Sequence, residues 1–182
     1  ILAFSSIFII LPKIPHSIEP LFIIDIYSLF FLGIILISAL LVTIISHDYV
    51  KQLEGLKEEY YIIILISTFG AALLAIANHF ITVFLGIETL SISLYILIAF
   101  QKSKDISIEA GVKYLVLASV SSAFLLFGMA LLYTATGTMQ FHSLASTVQN
   151  SPQLSPLLVS GFGMIMVGIG FKLALVPFHM WA

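Results

Sequence analysis

Apolar residues run through this chain in long unbroken blocks rather than alternating with polar ones. Five blocks stand out, at residues 21–45, 60–77, 80–100, 109–134 and 157–176, each 18 to 26 residues long. A helix needs about 20 apolar residues to cross the hydrocarbon core, somewhat more when tilted, so each block predicts a transmembrane helix. Continuous apolarity excludes the period-two pattern of a membrane β-barrel. A shorter run at 1–11 predicts the tail of another helix, without the basic start and small-residue cleavage site of a signal peptide. Because the chain opens on Ile1 and closes on Trp181-Ala182 with no polar tail, an internal fragment of a longer protein is expected. The predicted fold is all-α: a single, incomplete transmembrane bundle over 1–182, with about five full spans after a truncated one.

Lysines give the bundle a sidedness. If the crossings alternate, the connections at 46–59 and 101–108 share one side and carry Lys51, Lys57, Lys102 and Lys104. The connections at 12–20, 78–79 and 135–156 share the other side and carry only Lys13. The lysine-rich side is expected in the cytoplasm or its topological equivalent. Residues 50–59 (VKQLEGLKEE) read either as a short interfacial turn or as a solvated loop. Residues 135–156, rich in Ser, Thr, Gln and Pro, read as a loop with no catalytic grouping.

Composition narrows the chemistry. Only 9% of the 182 residues are charged and 60% are hydrophobic, where soluble domains run near a quarter charged. With a mean hydropathy of +1.17, this excludes a soluble enzyme and a disordered chain. Seven lysines, no arginine and nine acids leave a net charge of −2, which is no footprint for nucleic acid. The absence of cysteine excludes disulfides, thiolate metal sites and iron–sulfur ligation. Nothing reads as a P-loop, a GxGxxG turn or a metal cage, so no cofactor or metal is expected in this chain.

Three charges lie where charge is costly: Glu88 eight residues into its block, Lys113 just over a turn into the next, and Lys172 fifteen residues into the last. Each opposes insertion by about 2.5–3.5 kcal/mol. The lysines could snorkel to headgroups, and Glu88 could take a structural hydrogen bond. Intramembrane ionisable groups are otherwise functional candidates, usually paired along a hydrated path. Glu88, Ser91 and Tyr95 follow i, i+3, i+7 and share one helix face. Residues 161–170 (GFGMIMVGIG) hold four of the eleven glycines just before Lys172 and Pro177. This reads either as close helix packing or as a discontinuous helix lining a cavity. Ser119, Ser121 and Ser122 provide a small polar stretch. Glu88 with Lys113 or with Lys172 would form a coupled pair able to pass a proton, although spacing on separate helices does not establish which meet. His16, His47 and His142 fall in expected loops and His79 is expected to cap a helix. His179, seven residues past Lys172, could relay protons or take a core hydrogen bond.

Three stretches carry a resemblance: ANH at 77–79 leading to FLGIE at 84–88, AGVKY at 110–114, and GFKLALVPFHMW at 170–181. Together they resemble the antiporter-like membrane subunits of respiratory complex I. The wording is more similar to the subunit N branch of NADH–quinone oxidoreductase than to subunits L or M or an Mrp-type cation/proton antiporter. The resemblance implies two inverted repeats of helices, each with a discontinuous helix, of which this chain covers about helices two to seven. It implies a proton relay through Glu88, Lys113 and Lys172, with His179 a possible extension. It also implies a translocase whose NADH, flavin (FMN), iron–sulfur clusters and quinone are bound by partner subunits. The expected setting is a hetero-oligomer of membrane-arm subunits in a lipid bilayer, a bacterial inner membrane before an organellar one. A purely structural membrane spacer is the third class of reading.

Overall fold

A computed structural model describes residues 2–52, 57–150, 155–176 and 178. The chain is helical nearly throughout: α1 (Leu2–Ile10), α2 (Ile26–Lys51), α3 (Lys57–Ala75), α4 (Phe80–Ile98), α5 (Asp105–Thr136), α6 (Phe141–Asn150) and α7 (Pro156–Lys172). A 3-10 turn at Leu11–Lys13 and a two-stranded antiparallel hairpin, β1 (His16–Ile18) and β2 (Phe22–Ile24), join α1 to α2. Helices α2, α3, α4 and α5 are each long and apolar enough to cross a membrane. The all-α membrane bundle stands.

The structure departs from the sequence pattern in four places. The first span begins after Asp25, not at residue 21. Asp25 is the N-cap of α2, accepting from Ser28 N at 2.7 Å while Ser28 Oγ accepts from Asp25 N at 2.8 Å. The apolar residues before it lie in β2, where Ile23 N donates to Ile76 O. Second, the stretch 135–156 contains α6, which turns Leu144 into the core. Third, 50–59 is neither all turn nor all loop: Val50 and Lys51 end α2 and Lys57 begins α3. Fourth, the fifth span is shorter than expected. Helix α7 has 17 residues, about 25 Å of helix against a core of about 30 Å, and stops at Lys172. Leu173 caps it and Ala174 adopts φ 51°, a left-handed conformation costing a non-glycine residue about 1–2 kcal/mol. Pro177, on which the discontinuous-helix reading leaned, lies outside the described residues.

Three connections meet at the lysine-poor end. Asn78 N donates to Leu21 O, Phe80 N to Met139 O, and Thr82 Oγ1 to Leu21 O. The hairpin, the α3–α4 turn and the α5–α6 turn therefore share one end, as alternating crossings require. At the other end Tyr60 of α3 meets Phe100 just past α4, ring centroids 5.3 Å apart.

Helices α5 and α7 pack backbone to backbone. A Cβ on Gly128 would lie 2.7 Å from Gly161 O, and one on Gly168 3.0 Å from Ser121 O. Small residues let membrane helices approach closely where lipid supplies no hydrophobic drive between them. Leu125, Met129, Leu132, Leu144, Leu158 and Ile165 fill the core around this seam, with Phe80 and Phe84 of α4 against it. Within the glycine run, Gly161 and Gly168 display the tight-packing reading, while a Cβ on Gly163 would meet nothing within 4 Å. That packing holds the last residue of α7 beside α4 and α5.

Candidate functional site

Glu88 lies near the middle of α4, and α4 presents Ser91 one turn further on. From α7, Lys172 reaches across so that Nζ donates to Ser91 Oγ at 2.7 Å and stands 3.8 Å from Glu88 Oε1. From α5, Ser122 Oγ lies within hydrogen-bond reach of that same Glu88 Oε1 and of Ala118 O, its single proton serving one of them at a time. Tyr114, two turns before Ser122, shares a side-chain hydrogen bond with Ser91 and feels the charge of Glu88. Lys172 is 12% exposed and Glu88 29%. Three helices thus converge on one carboxylate and one ammonium, each also held by a hydroxyl. Position helps the lysine: as the last residue of α7 it sits at the negative end of the helix dipole.

Of the two partners left open for Glu88, the structure brings in Lys172. Lys113 turns the other way and pairs with Glu109 on its own helix at 2.5 Å, the two side chains 69% and 61% exposed. Tyr95, expected on the Glu88 face, is half-buried beyond Ser91. Ser119 faces outward and donates to Leu115 O. Ser121 donates to Gly168 O at 2.8 Å, tying α5 to α7 just below the site.

Ser122 and Tyr114 are the functional residues that residue-by-residue reading missed as site members. The available signal was the buried stripe Gly111, Ala118, Ser121, Ser122, Leu125, Gly128. It runs at helical spacing, puts Tyr114 and Ser122 on the inner side of α5, and leaves Lys113 off it.

The three histidines expected in loops lie in regular elements instead, His16 in β1, His47 inside α2 and His142 in α6, although none of them joins the site. His16 and His142 are exposed, and His47 lies 3.4 Å from the Tyr61 hydroxyl near the surface. His79 caps α4, its Nδ1 accepting from Ile81 N at 3.2 Å. Burial holds this imidazole below the usual histidine range, which suits a cap that needs an unprotonated nitrogen. His179 lies outside the described residues. Among the described residues, no three His, Cys, Asp or Glu side chains group as a metal site would require.

Comparison with known proteins places this architecture. Residues 77–182 match the family described as NADH:quinone oxidoreductase/Mrp antiporter, TM. A chain of respiratory complex I from Thermus thermophilus, solved with bound aureothin, is 31% identical with a TM-score of 0.77, over 99% of this chain and 38% of that one. A chain of the membrane-bound sulfane sulfur reductase, an archaeal respiratory membrane complex, is 25% identical with a TM-score of 0.83, over 100% of this chain and 38% of that one. The sequence thus spans little more than a third of the length of either.

Proposed function

The chain belongs to the NADH:quinone oxidoreductase/Mrp antiporter transmembrane family, and on that premise we propose that it is a proton-translocating membrane subunit of a complex I-type NADH–quinone oxidoreductase, of the subunit N branch. In this reading NADH, flavin, iron–sulfur clusters and quinone belong to partner subunits, and electron transfer among them drives proton movement here. The chain sits among other membrane-arm subunits in a bacterial inner membrane, its lysine-rich loops on the cytoplasmic face.

The observation that carries this reading is the Glu88–Lys172 pair at the meeting of α4, α5 and α7. At 3.8 Å the two charges attract by about 4 kcal/mol at an effective dielectric of about 20. Burial opposes this by several kcal/mol per ion. Attraction and desolvation are therefore comparable, and a small displacement of the ammonium decides between them. Near the carboxylate the lysine keeps its proton, and away from it desolvation favours release. The same reading takes Lys113, paired with Glu109 on α5, as a further relay residue and His179, seven residues past Lys172 in the chain, as a candidate extension.

The test is Lys172→Ala in the intact complex. Proton pumping and quinone reduction should fall together by at least tenfold while the complex still assembles. Unchanged turnover with unchanged pumping per electron would overturn the assignment. An Mrp-type cation/proton antiporter is the second reading, because the matching family includes both kinds of machine. Neighbouring genes for iron–sulfur and flavin subunits would favour the first, and neighbouring antiporter subunits the second.

A further inference from the structure

We propose that Ser91 is a positioning residue that sets the working distance of the Glu88–Lys172 pair, an inference that rests on the proton path proposed above. Two acceptors compete for one ammonium. Lys172 Nζ is 2.7 Å from the Ser91 hydroxyl and 3.8 Å from the Glu88 carboxylate. An ammonium free to choose closes on a carboxylate at about 2.7–2.9 Å, so this pair is held roughly 1 Å open.

Two neighbouring hydrogen bonds account for the opening. Ser91 Oγ donates its own proton to Ile87 O at 2.8 Å. That directs the hydroxyl proton away from the site and leaves the oxygen to accept from Lys172, with the Tyr114 hydroxyl as its other neighbour. Ser122 donates to Glu88 Oε1, the oxygen that faces the lysine, and so partly satisfies the carboxylate from the α5 side. Each charge is thereby tethered to a hydroxyl as well as attracted to the other.

The Ser91 contact differs from the ion pair in one respect that matters for proton transfer. At 3.8 Å the carboxylate holds Lys172 by charge, which deprotonation removes, whereas at 2.7 Å a neutral amine still donates an N–H to the Ser91 hydroxyl. Ser91 therefore keeps the lysine side chain in place before and after the proton leaves. The other ionisable groups near this point are Glu88 and Tyr95 on α4 and Tyr114 on α5, while Lys113 and Glu109 pair with each other on the outer face of α5.

Replacing Ser91 by Ala removes the nearer of the two α4 acceptors, and the pair closes on Glu88. A closer carboxylate favours the charged lysine. The pH above which proton pumping fades should then rise by about one unit, a tenfold change in proton affinity, with slower pumping near neutrality. The experiment compares pH profiles of NADH-driven pumping by the intact complex in liposomes, carrying Ser91→Ala or Ser91→Thr. The Thr variant keeps the hydroxyl and should retain the original profile. An Ala profile that overlies the original, or one that coincides with the Thr profile, would overturn the proposal. If the Ala variant fails to assemble, Ser91→Cys takes its place, its thiol being similar in size but a weak acceptor. Lys172→Ala in the same preparation separates the two levels. Pumping lost there with an unmoved Ser91→Ala profile overturns the role of Ser91 alone. Pumping intact there overturns the proton path and this role with it.

Discussion

Lys172 ends one apolar helix and Lys113 interrupts another, yet Lys172 crosses to α4 and meets a carboxylate and a hydroxyl from another helix, while Lys113 folds back onto Glu109 of its own. Lys172 is 12% exposed and Lys113 69%. Depth along the chain does not explain the difference. Lys113 is one residue away from Tyr114, which reaches the Lys172 site, and one residue is about 100° around a helix. The face of the helix, rather than the distance from its end, decides whether a membrane lysine meets groups of another helix or pairs within its own.

Removing the interior carboxylate should strike hardest. Glu88→Ala leaves the Lys172 ammonium buried without its counterion, at a cost of about 3–5 kcal/mol when one member of a buried pair is lost. The expected outcome is a lowered midpoint of thermal unfolding for the detergent-solubilised complex together with lost pumping. An unchanged midpoint would erase the contrast between the two lysines. Lys113→Ala sharpens the contrast from the other side. Its partner Glu109 is 61% exposed and lies one turn from the start of α5, within reach of the headgroup region, so thermal stability should hardly move. Pumping should fall only a few-fold, less than for Lys172→Ala in the same liposome assay.

The smallest effect concerns the cap at the lysine-poor end. His79 accepts from Ile81 N and its folded-state pKa is lowered by burial. Its contribution to stability is therefore fully present above the ordinary histidine value and is lost as pH falls through the lowered one. Helix caps contribute about 0.5–2 kcal/mol, so unfolding midpoints should drop slightly below about pH 6. His79→Asn, which caps without titrating, should flatten that acid limb.

Much of the bundle was legible because continuous apolar blocks say directly what must leave water. Their ends were less so. Phe22–Ile24 is as apolar as a helix start, but pairing with β1 and with Ile76 claims its backbone first. Phe141, Leu144 and Val148 follow i, i+3, i+7, a helical signal masked by the Ser, Thr and Gln around them. At the site, Glu88 and Ser91 were readable as one face of α4, and the glycines before Lys172 as a seam. That Lys172 rather than Lys113 meets Glu88 was not, because 84 residues separate the pair and only the packing of Gly128, Gly161 and Gly168 against the facing helices fixes the approach.

The central claim is that Glu88 and Lys172 work as one unit, and a double-mutant cycle tests it most directly. Pumping would be measured for Glu88→Gln, Lys172→Met and the double variant in the intact complex, with assembly checked for each. For a single coupled unit the double variant should lose no more than the worse single one, a departure from additivity expected of contacting groups. Losses that multiply, as for independent sites, would contradict the account.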